Sequence, residues 1–322
     1  MRAALYDRYG PPEVLYEGSL PRPAAGPGQV LVRVHATSVN GGELYGRAGR
    51  VKAVTGLVGG RGFPKRLGID LAGEVAALGA DVTGLTVGQP VWGVSRAMNT
   101  AAEYAAIDAN RLAPLPPELT YAQAAALAGV GTTAVTALRD EARLRPGERL
   151  LVRGGAGGVG SIVVQLARAE GAHVTALAGA STLDLVRELG AHECVDYRTA
   201  APPDLGRFDV VVDTVGTDLR AWRRLLAPGG RMVAVSFDLD RAASSLGYLA
   251  ASAVHGPRRV RFFSGNPRRA DLDRLAALVA RGAVRPVVDR IFPLSQIAAA
   301  HRALEDGGVR GKIVVEIQPV RP

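Results

Sequence analysis

Arg149-Leu-Leu-Val-Arg-Gly-Gly-Ala-Gly-Gly-Val-Gly-Ser-Ile-Val-Val-Gln-Leu-Ala-Arg168 is the stretch of this chain that decides its fold. The apolar run at 150–152 is typical of a strand that is covered on both faces. Apolar residues then recur at helical spacing, at Ile162, Val163, Leu166 and Ala169. Gly171 follows at the place where a helix C-terminus favours glycine. The stretch therefore predicts a buried strand, a glycine-rich turn and a helix in direct succession.

The turn between this strand and helix fits the pattern G-x-G-x-x-G. We expect Gly155 to form the tight turn out of the strand, Gly157 to let the backbone approach a pyrophosphate, and Gly160 to let the helix pack close to the strand. The helix N-terminus then offers free N–H groups to the phosphates. Because the strand and helix context is present, we predict a dinucleotide site formed by Gly155, Ala156, Gly157, Gly158, Val159 and Gly160.

Size and composition limit the classes of protein to which this chain can belong. Its 322 residues suffice for two domains, and a hydrophobic share of 48% is ordinary for a globular protein. No apolar run approaches the roughly 20 residues of a membrane span, and the first residues lack the features of a secretory signal. The one cysteine, Cys194, excludes an internal disulfide and a cysteine-rich zinc site. We expect a cytoplasmic protein without a membrane segment.

The net charge of +9 raises the question of an anionic partner. The arginines are scattered and no run of five basic residues occurs, which argues against nucleic acid. A phosphate-bearing cofactor would use part of this positive field. The five histidines show no metal-ligand spacing, and neither the G-x-S-x-G motif nor the H-E-x-x-H motif occurs in the sequence. We therefore predict no metal ligands.

Three patterns follow one another along the chain. Residues 1–120 alternate short β-type segments with Gly/Pro turns, which is typical of an irregular antiparallel barrel. Residues 121–264 alternate strands and helices, which predicts a parallel, doubly wound sheet, with one helix ending near Pro228-Gly229-Gly230. Residues 265–322 predict two helices and two strands that we expect to rejoin the first domain. The glycine-rich residues 46–62 are either a mobile loop beside the site or a plain surface loop.

The segment after the second strand of the parallel sheet bears on the choice of cofactor. NAD-binding folds usually place Asp or Glu about 20 residues beyond the glycines, on the ribose hydroxyl. Here residues 175–181 contain no acid, which favours NADPH over NADH because a carboxylate would repel a 2′-phosphate. The segment contains no lysine either, so the group that binds this phosphate stays open among Arg198, Arg187 and Arg153.

Further motifs lie in order along the whole chain. They are Ser38-Val-Asn-Gly-Gly-Glu-Leu-Tyr-Gly-Arg-Ala-Gly49, Leu67-Gly-Ile-Asp-Leu-Ala-Gly-Glu-Val75, Val87-Gly-Gln-Pro-Val91, Ala102-Glu-Tyr-Ala105, Gly131-Thr-Thr-Ala134, Val212-Asp-Thr-Val-Gly216, Pro228-Gly-Gly-Arg231 and Gly311-Lys-Ile-Val-Val315. Together with the glycine turn, they make the chain resemble the zinc-independent quinone oxidoreductases of the medium-chain dehydrogenase/reductase superfamily, the group that includes ζ-crystallin. Gln89 departs from the Asp that is usual in this family.

The resemblance implies a mixed α/β fold with a GroES-like catalytic domain at 1–120, a Rossmann domain at 121–264 and a C-terminal segment at 265–322. It also implies a homodimer. In zinc-dependent relatives a Cys stands near the position of Asn40, a Gly-His-Glu stands near that of Gly68, and four cysteines fill a structural lobe. This chain has Asn40 and Gly68-Ile-Asp70 at those places. The resemblance therefore implies an enzyme without zinc, in agreement with the cysteine count.

The expected absence of zinc restricts the class of substrate that can accept the hydride. Zinc would polarise a simple carbonyl as a Lewis acid. Without it, hydride must go to an acceptor that delocalises its own negative charge, such as a quinone or an α,β-unsaturated carbonyl. We predict NADPH-dependent reduction of such acceptors, with the protein supplying position and hydrogen bonds. Tyr45 is either the group that orients the substrate oxygen or donates a proton, or a half-buried barrel aromatic. Asn40 is either a hydrogen-bonding group near the nicotinamide or substrate, or a turn residue.

Cofactor contacts elsewhere in the chain follow from the resemblance. It assigns them to Thr133, Tyr197, Gly216, Ser236 and Phe263, and we add Gly179, which follows the second strand of the parallel sheet. Tyr197 would reach the adenosine 2′-phosphate, and Phe263 would pack near the nicotinamide. Ordinary packing is the alternative role of each of these residues. For Asp70, which takes a family position, we expect a structural hydrogen-bonding role.

Two other functions stay open from the sequence. The first is an enoyl reductase acting on a thioester, as in polyketide and fatty-acid assembly, because it uses the same fold and the same hydride. The second is an NADPH-binding protein with a structural or RNA-binding role and little turnover. No spacing pattern in the sequence names the substrate.

Overall fold

The computed structural model of the protein describes residues 1–51, 62–238, 241–263 and 265–317, apart from the side chains of residues 242, 243 and 257. It divides into two compact units. Unit 1 consists of Met1–Gly129, Pro267–Ala280 and Pro286–Pro322, and unit 2 consists of Val130–Asn266 and Arg281–Arg285. Within the described residues, no helix is both long and apolar enough to cross a membrane. Most of the predicted loop at 46–62 lies outside the described residues.

The strands of the described residues are, in chain order, β1 (Arg2–Tyr6), β2 (Leu15–Ser19), β3 (Gln29–Ser38), β4 (Lys65–Arg66), β5 (Asp70–Leu78), β6 (Pro90–Val94), β7 (Tyr104–Asp108), β8 (Leu112–Pro114), β9 (Arg149–Arg153), β10 (His173–Ala178), β11 (Glu193–Asp196), β12 (Phe208–Asp213), β13 (Leu226–Ala234), β14 (Val260–Phe262), β15 (Val288–Pro293) and β16 (Lys312–Glu316). The helices are α1 (Gly41–Arg47), α2 (Tyr121–Val135), α3 (Gly158–Ala169), α4 (Leu183–Glu188), α5 (Leu219–Arg223), α6 (Ala242–Ala251), α7 (Arg269–Ala280) and α8 (Ile297–Glu305).

Unit 1 is organised around a mainly antiparallel sheet with the order β15-β16-β3-β5-β6-β8, in which β7 also pairs with β3. Every second residue of strand β3 points to the same face of the sheet, so that Val30, Val32 and Val34 enter the core together. The C-terminal strand β16 lies antiparallel to β3, with Val315 opposite Thr37. Residues from near the end of the chain therefore complete the sheet that its first hundred residues begin. A smaller sheet of the order β2-β1-β4 belongs to the same unit.

Unit 2 contains a six-stranded sheet of the order β11-β10-β9-β12-β13-β14, in which every pair is parallel. Residues 150–152 of β9 are fully buried, as a strand covered on both faces requires. Helix α3 ends at Ala169, and Gly171 follows with a positive φ of 79°. The predicted doubly wound sheet is confirmed. Its strand order reverses between β9 and β12, which is where such sheets bind their ligands.

One predicted boundary in unit 2 is wrong. We placed the end of a helix near Pro228-Gly229-Gly230, but α5 ends at Arg223 and these three residues lie inside β13. The pairing of β12 with β13 shifts its register between Phe208 and Val210, beside this stretch. Proline and glycine are tolerated in a strand where the ladder is interrupted in this way. Turn-forming residues in the sequence therefore marked an irregular strand rather than the end of a helix.

Candidate active site

The turn after β9 has glycine where a side chain would collide with its neighbours. A Cβ on Gly160 would lie 2.0 Å from the carbonyl oxygen of Gly154, so α3 packs directly against the turn, as we expected. The residue in the left-handed conformation is Gly154, with φ +73°, and not Gly155, to which we assigned the tight turn. Gly155 instead donates its N–H to the carbonyl oxygen of Leu177 at 2.9 Å, which keeps it at the edge of the sheet.

Gly157 borders mostly open space. Apart from its chain neighbours, the one atom of the described residues within 4 Å of a Cβ built on it is the carbonyl oxygen of Gly154, an ordinary contact at 3.4 Å. Gly157 caps the N-terminus of α3, a helix of 12 residues whose first N–H groups have no partner within the helix. Open space, free donors and the positive end of a helix dipole together fit the pyrophosphate of a dinucleotide.

The turns after β9, β12 and β13 meet at the carboxyl edge of the parallel sheet. The Thr214 hydroxyl donates to the carbonyl oxygen of Arg153 at 2.7 Å. Oδ1 of Asp213 accepts a hydrogen bond from the N–H of Gly216 at 3.0 Å. Gly216 has φ +88°, and a Cβ on it would lie 2.6 Å from the backbone of Phe237. The point where the strand order reverses is therefore built from closely packed backbone.

Beneath this edge lies a buried ion pair between neighbouring strands. Nη1 of Arg153 contacts the carboxylate of Asp213 and donates to the carbonyl oxygen of Thr217 at 2.7 Å. The guanidinium also lies 4.1 Å from the ring centroid of Trp222. Burial lowers the pKa of Arg153, although the Asp213 charge opposes this. Since its guanidinium is buried and occupied, Arg153 is excluded as the group that binds a 2′-phosphate.

The two remaining candidates for that phosphate are Arg198, which follows β11, and Arg187, which lies on α4. A Cβ on Gly179 would lie 3.7 Å from the ring of Tyr197, which is 54% exposed. The guanidinium of Arg198 lies 5.3 Å from the Tyr197 ring centroid. Arg187, on α4, is also exposed, and its charge acts on the thiol of Cys194. Of these two cations, Arg198 is the one whose guanidinium lies beside Tyr197, the ring that neighbours Gly179.

The other residues to which we assigned cofactor contacts have half-buried side chains. Ser236 follows β13 and Phe263 follows β14, so both lie at the carboxyl edge of the sheet. Thr133 lies on α2, and a Cβ on Gly265 would be 3.7 Å from its hydroxyl oxygen. With the exception of Thr133, all the predicted cofactor residues follow the ends of parallel strands. The structure thus gathers at one edge residues that lie far apart in the sequence.

Unit 1 contains a group of polar side chains that we call the buried polar cluster: the buried Ser38, Glu43, Asp70 and Lys312, together with the half-buried Asn40. Oδ2 of Asp70 accepts hydrogen bonds from the Ser38 hydroxyl and from Nδ2 of Asn40, and it lies 3.7 Å from Nζ of Lys312. Nζ of Lys312 donates to Oδ1 of Asn40 at 2.7 Å. Asp70 thus has the structural hydrogen-bonding role that we expected, in a cluster drawn from β3, α1, β5 and β16.

Glu43 brings a second carboxyl group into this cluster. Its Oε1 accepts from Nδ2 of Asn40 at 3.1 Å, and its Oε2 accepts from the N–H of Gly68 at 3.0 Å. Burial raises the pKa of Glu43 to about 7, although these two hydrogen bonds oppose the shift. Burial likewise lowers the pKa of Lys312, against the opposing charges of Asp70 and Glu43. The cluster therefore holds two carboxyl groups and one amine away from water.

The side chain of Asn40 is fully used inside the protein. Its Nδ2 lies within 3.2 Å of three acceptors, the carbonyl oxygen of Ser38 and the carboxyl oxygens of Glu43 and Asp70, whereas an amide has two N–H groups. Its Oδ1 accepts from Lys312. This geometry leaves Asn40 no free donor for a cofactor or substrate, contrary to our first expectation for it. Asn40 joins the start of α1 to β5 and β16 instead.

Tyr45 lies on α1, two residues beyond Glu43, and its side chain is half-buried. The guanidinium of Arg50 lies 5.9 Å from its ring centroid. Among the described residues, no group forms a hydrogen bond with the Tyr45 hydroxyl. The hydroxyl is therefore available to a ligand, whereas the amide of Asn40 is not.

The buried polar cluster also decides whether zinc fits this chain. The described part of the chain contains no group of three His, Cys, Asp or Glu side chains that could hold a metal ion. Asn40 and Ile69 stand where the family resemblance places the cysteine and the histidine of zinc-dependent relatives, and an ammonium group already lies beside Asp70. A second cation at the same carboxylate would be repelled by Lys312. These residues do not fit zinc.

The sequence patterns did not indicate that Lys312 and Glu43 belong to a site. Both occur in motifs that we had quoted, but their spacing of about 270 residues carries no information about contact. A signal for Lys312 was present in the sequence, because this charged residue directly precedes the apolar run Ile-Val-Val of the strand Lys-Ile-Val-Val-Glu. Only three lysines occur in the chain. A lysine in a buried strand indicates a buried partner of opposite charge.

Two family models match separate parts of the chain. The model described as alcohol dehydrogenase GroES-like domain matches residues 26–146. The model described as zinc-binding dehydrogenase matches residues 189–315. The first match confirms the GroES-like assignment for the N-terminal part of the chain, and the second covers much of the parallel sheet and the C-terminal segment.

Several named proteins are similar to this chain over most of its length. NAD(P)H oxidoreductase RTN4IP1, mitochondrial, of Mus musculus is 31% identical over 98% of this chain and 89% of its own length. Quinone oxidoreductase of Rattus norvegicus is 32% identical, with 98% of this chain and 97% of that protein covered. Spectinabilin polyketide synthase system protein NorB of Streptomyces orinoci is 37% identical over 91% of this chain but only 13% of its own length.

Solved structures agree with the fold over nearly the whole chain. The quinone oxidoreductase from Coxiella burnetii superposes with a TM-score of 0.89 at 31% identity, with 99% of each chain covered. The Escherichia coli quinone oxidoreductase complexed with NADPH superposes with a TM-score of 0.83 at 25% identity, with 98% of this chain and 100% of that chain covered.

Proposed function

This chain belongs to the quinone oxidoreductases of the medium-chain dehydrogenase/reductase superfamily, and we propose that it is a zinc-independent enzyme that uses NADPH to reduce a quinone or an α,β-unsaturated carbonyl. Its class as an oxidoreductase follows from the family. The choice of NADPH, the absence of zinc and the class of acceptor are our proposal.

The glycine turn at Gly154–Gly160 is the observation that carries this proposal. It lies where the strand order of the parallel sheet reverses, and Gly157, which borders mostly open space, caps the N-terminus of α3. Gly155, Ala156, Gly157, Gly158, Val159 and Gly160 would bind the pyrophosphate through backbone N–H groups. Gly216, Ser236 and Phe263 would bind the nicotinamide half, and Gly179 and Tyr197 the adenosine half, with Thr133 as a further contact.

The reaction needs a hydride and a proton at the acceptor. When bound, the reduced nicotinamide supplies the hydride. The protein then has to hold the acceptor oxygen and deliver or direct the proton. Tyr45 is our candidate for both tasks because no group of the described residues forms a hydrogen bond with its hydroxyl. An acceptor that spreads the developing negative charge over a conjugated system needs no Lewis acid. This requirement agrees with a buried polar cluster that does not fit zinc.

NADPH is favoured over NADH by the residues around Gly179. The segment 175–181 has no carboxylate to repel a 2′-phosphate. Arg198 lies over the ring of Tyr197, next to Gly179, where it would add a positive charge for that phosphate. The Escherichia coli relative was solved with NADPH bound.

A second candidate function is an enoyl reductase that acts on a thioester. The specific observation in its favour is the match to NorB, a polyketide synthase protein of which this chain covers 13%. Such an enzyme uses the same hydride and the same type of acceptor, because an enoyl thioester is an α,β-unsaturated carbonyl. The two candidates therefore differ in the acceptor alone.

The remaining parts of the proposal concern organisation. We propose a homodimer in the cytoplasm that binds no nucleic acid, with a catalytic domain at 1–120, a Rossmann domain at 121–264 and a C-terminal segment at 265–322 that returns to the first domain. Size-exclusion chromatography with light scattering tests the oligomeric state, and localisation of a tagged chain tests the compartment.

The activity itself is tested by following NADPH oxidation at 340 nm with a panel of quinones, simple enones and crotonyl thioesters. We expect turnover with quinones or enones, undiminished by a zinc chelator. Faster turnover with the thioester would identify the second candidate. Tight NADPH binding without turnover on any acceptor would favour a binding protein with a structural or RNA-binding role.

The role of Tyr45 is tested with Tyr45→Phe. We expect kcat/KM for the acceptor to fall by at least about tenfold, with the Kd of NADPH unchanged, because the hydroxyl would act on the acceptor in the transition state. Tyr16→Phe is the matched control, since its hydroxyl binds Asp7 at the surface of the same unit. An unchanged kcat/KM in Tyr45→Phe would remove Tyr45 from the reaction.

A further inference from the structure

We propose that Lys312 is a positioning residue for acceptor reduction. Its buried ammonium group is the fixed cation around which Asn40, Glu43 and Asp70 are arranged, and this arrangement holds α1, which carries Tyr45, in its working position. The inference rests on the proposed function, because only there does Tyr45 have a part in the reaction.

The first step is the set of contacts made by the ammonium group. Nζ of Lys312 donates to the carbonyl oxygen of Val39 and to Oδ1 of Asn40, each at 2.7 Å, and it lies 3.7 Å from Oδ2 of Asp70. Lys312 is 6% exposed. Two of these oxygens accept hydrogen bonds from the ammonium group, and the Asp70 carboxylate adds an ion-pair contact. The compact ammonium group of lysine fits this site better than the planar guanidinium of arginine would. Arginine supplies most of the positive charges elsewhere in this chain.

The second step leads from the ammonium group to α1. Two of its three contacts, Val39 and Asn40, immediately precede Gly41, where α1 begins. Without Lys312, Oδ1 of Asn40 would lose its hydrogen-bond donor. No contact on that side would then favour the present orientation of the amide over the flipped one. Glu43, in the first turn of α1, depends on the same amide through its hydrogen bond to Nδ2. Lys312 thus reaches the start of the helix through Asn40, beside the bonds that Glu43 forms with the N–H of Gly68 and Asn40 with Asp70.

The third step is the intrinsic weakness of α1. The helix has seven residues, Gly-Gly-Glu-Leu-Tyr-Gly-Arg, of which three are glycine. Short helices are marginal in water, and glycine lowers helix stability further. Tertiary contacts must therefore hold it. At its other end the 1% exposed Arg47 donates Nε to the carbonyl oxygen of Gly10 at 3.1 Å and forms an ion pair with Glu305.

Both anchors of α1 come from near the C-terminal end of the chain. Lys312, on β16, holds the start of the helix, and Glu305, on α8, holds its end. A carboxylate that loses its buried cation is strongly disfavoured, so the cluster would rearrange if Lys312 were neutral. Rearrangement at Asn40 and Glu43 moves the turn of helix that precedes Tyr45. This is the physical link between a strand of the sheet and the proposed proton donor.

The kinetic test compares Lys312→Met with Arg111→Met. Arg111 is a buried cation of the same unit, 6% exposed, that donates to the carbonyl oxygen of Pro267 and lies 3.9 Å from the carboxylate of Asp108, and neither of these residues belongs to α1. We expect Lys312→Met to lower kcat with the best acceptor by at least about tenfold, with KM and the Kd of NADPH within about twofold of the wild-type values. Arg111→Met should keep kcat within about twofold, and Lys312→Arg should recover part of the loss.

A double-mutant cycle asks whether Lys312 acts through Tyr45. If it does, Lys312→Met combined with Tyr45→Phe is slower than the worse single variant by no more than about twofold, because the second change removes what the first has already displaced. Independent losses that multiply would overturn the proposal, as would an unchanged kcat in Lys312→Met.

A measurement that does not depend on enzyme activity, the ¹⁹F signal of labelled tyrosine, separates this inference from the proposed function. The chain has eight tyrosines, so 3-fluorotyrosine gives eight ¹⁹F signals, and Tyr45→Phe identifies one of them. We expect Lys312→Met to move the Tyr45 signal and to leave those of Tyr197 and Tyr248 in place, whereas Arg111→Met moves none of the three. An unmoved Tyr45 signal would overturn the link. A wild-type enzyme that reduces no acceptor would overturn the proposed function, while the fluorine signals still decide whether Lys312 controls α1.

A second variant covers the case in which Lys312→Met does not fold. Asp70→Asn keeps the size of the side chain and removes one carboxylate from the ammonium group. We expect the same Tyr45 signal to move in the same direction, with a smaller fall in kcat. A folded Asp70→Asn variant with wild-type kcat and an unmoved Tyr45 signal would count against the proposal as strongly.

Discussion

The contribution of one carboxyl group, that of Glu43, to stability depends on pH in the opposite direction to that of most acidic residues. Its folded-state pKa of about 7 lies above the ordinary value of 4.5, so the folded protein holds its proton more tightly than the unfolded chain. The contribution of Glu43 to stability is therefore fully present below about pH 4.5 and is lost as pH rises through 7. Glu103 behaves in the ordinary way, because its bonds to Arg2 hold its pKa below the usual value despite partial burial.

We predict that Glu43→Gln changes how stability depends on pH. Because the amide cannot ionise, the free energy of unfolding of this variant should rise relative to that of the wild type by about 3 kcal/mol between pH 4.5 and 7. Chemical denaturation at half-unit pH steps measures it. Glu103→Gln should show the reverse, losing stability relative to the wild type as pH rises from 3 to 5. Parallel curves for Glu43→Gln and the wild type would show that Glu43 titrates alike in both states.

Arg198 carries the second prediction for a single residue. Arg198→Ala should raise the Kd of NADPH about tenfold and leave that of NADH unchanged, because only NADPH has the 2′-phosphate that the guanidinium would bind. Fluorescence titration with both nucleotides measures the ratio. Arg187→Ala is the control, and a loss of NADPH affinity there instead of in Arg198→Ala would reassign the phosphate contact to Arg187.

At the scale of elements, the turn between β9 and α3 separates two reasons for glycine. At Gly160 the reason lies in the fold, because a Cβ would meet the carbonyl oxygen of Gly154 at 2.0 Å. At Gly157 a Cβ would make an ordinary contact at 3.4 Å and the backbone has an ordinary φ of −77°, so the fold does not require glycine there. We propose that the pyrophosphate requires it, so that one motif would serve packing at Gly160 and binding at Gly157.

Alanine substitutions test this separation. Gly160→Ala should lower the free energy of unfolding by about 3 kcal/mol, because strand and helix must move apart. Gly157→Ala should keep its stability within about 1 kcal/mol of the wild type and still raise the Kd of NADPH at least about tenfold, because its methyl group blocks the approach of the pyrophosphate. Thermal unfolding and fluorescence titration supply the two measurements. A Gly157→Ala variant with wild-type affinity would place the pyrophosphate elsewhere.

At the scale of the whole molecule, cofactor contacts predicted in separate motifs come together because parallel strands end on the same side of a sheet. NADPH should therefore protect several separate segments from hydrogen exchange, namely 154–160, 179–181 and 214–216, all at the carboxyl edge. The loop 145–148, which precedes β9 at the amino edge, is the internal control and should exchange as before. Mass spectrometry of peptides with and without NADPH measures this. Equal protection at both edges would indicate general tightening of the protein rather than a site.

The sequence by itself determined the parallel sheet, the glycine turn and the family. A strand, a turn and a helix that follow one another are encoded in contiguous residues, and their periodicity and glycines can be read without knowing what surrounds them. Only the tertiary structure decided that Gly154 takes the left-handed turn, that Arg153 is occupied by Asp213, and that Lys312 binds Asn40 across 272 residues of chain. These facts depend on strand register and on burial, which bring distant side chains within a hydrogen bond of one another, and no local pattern encodes such a distance.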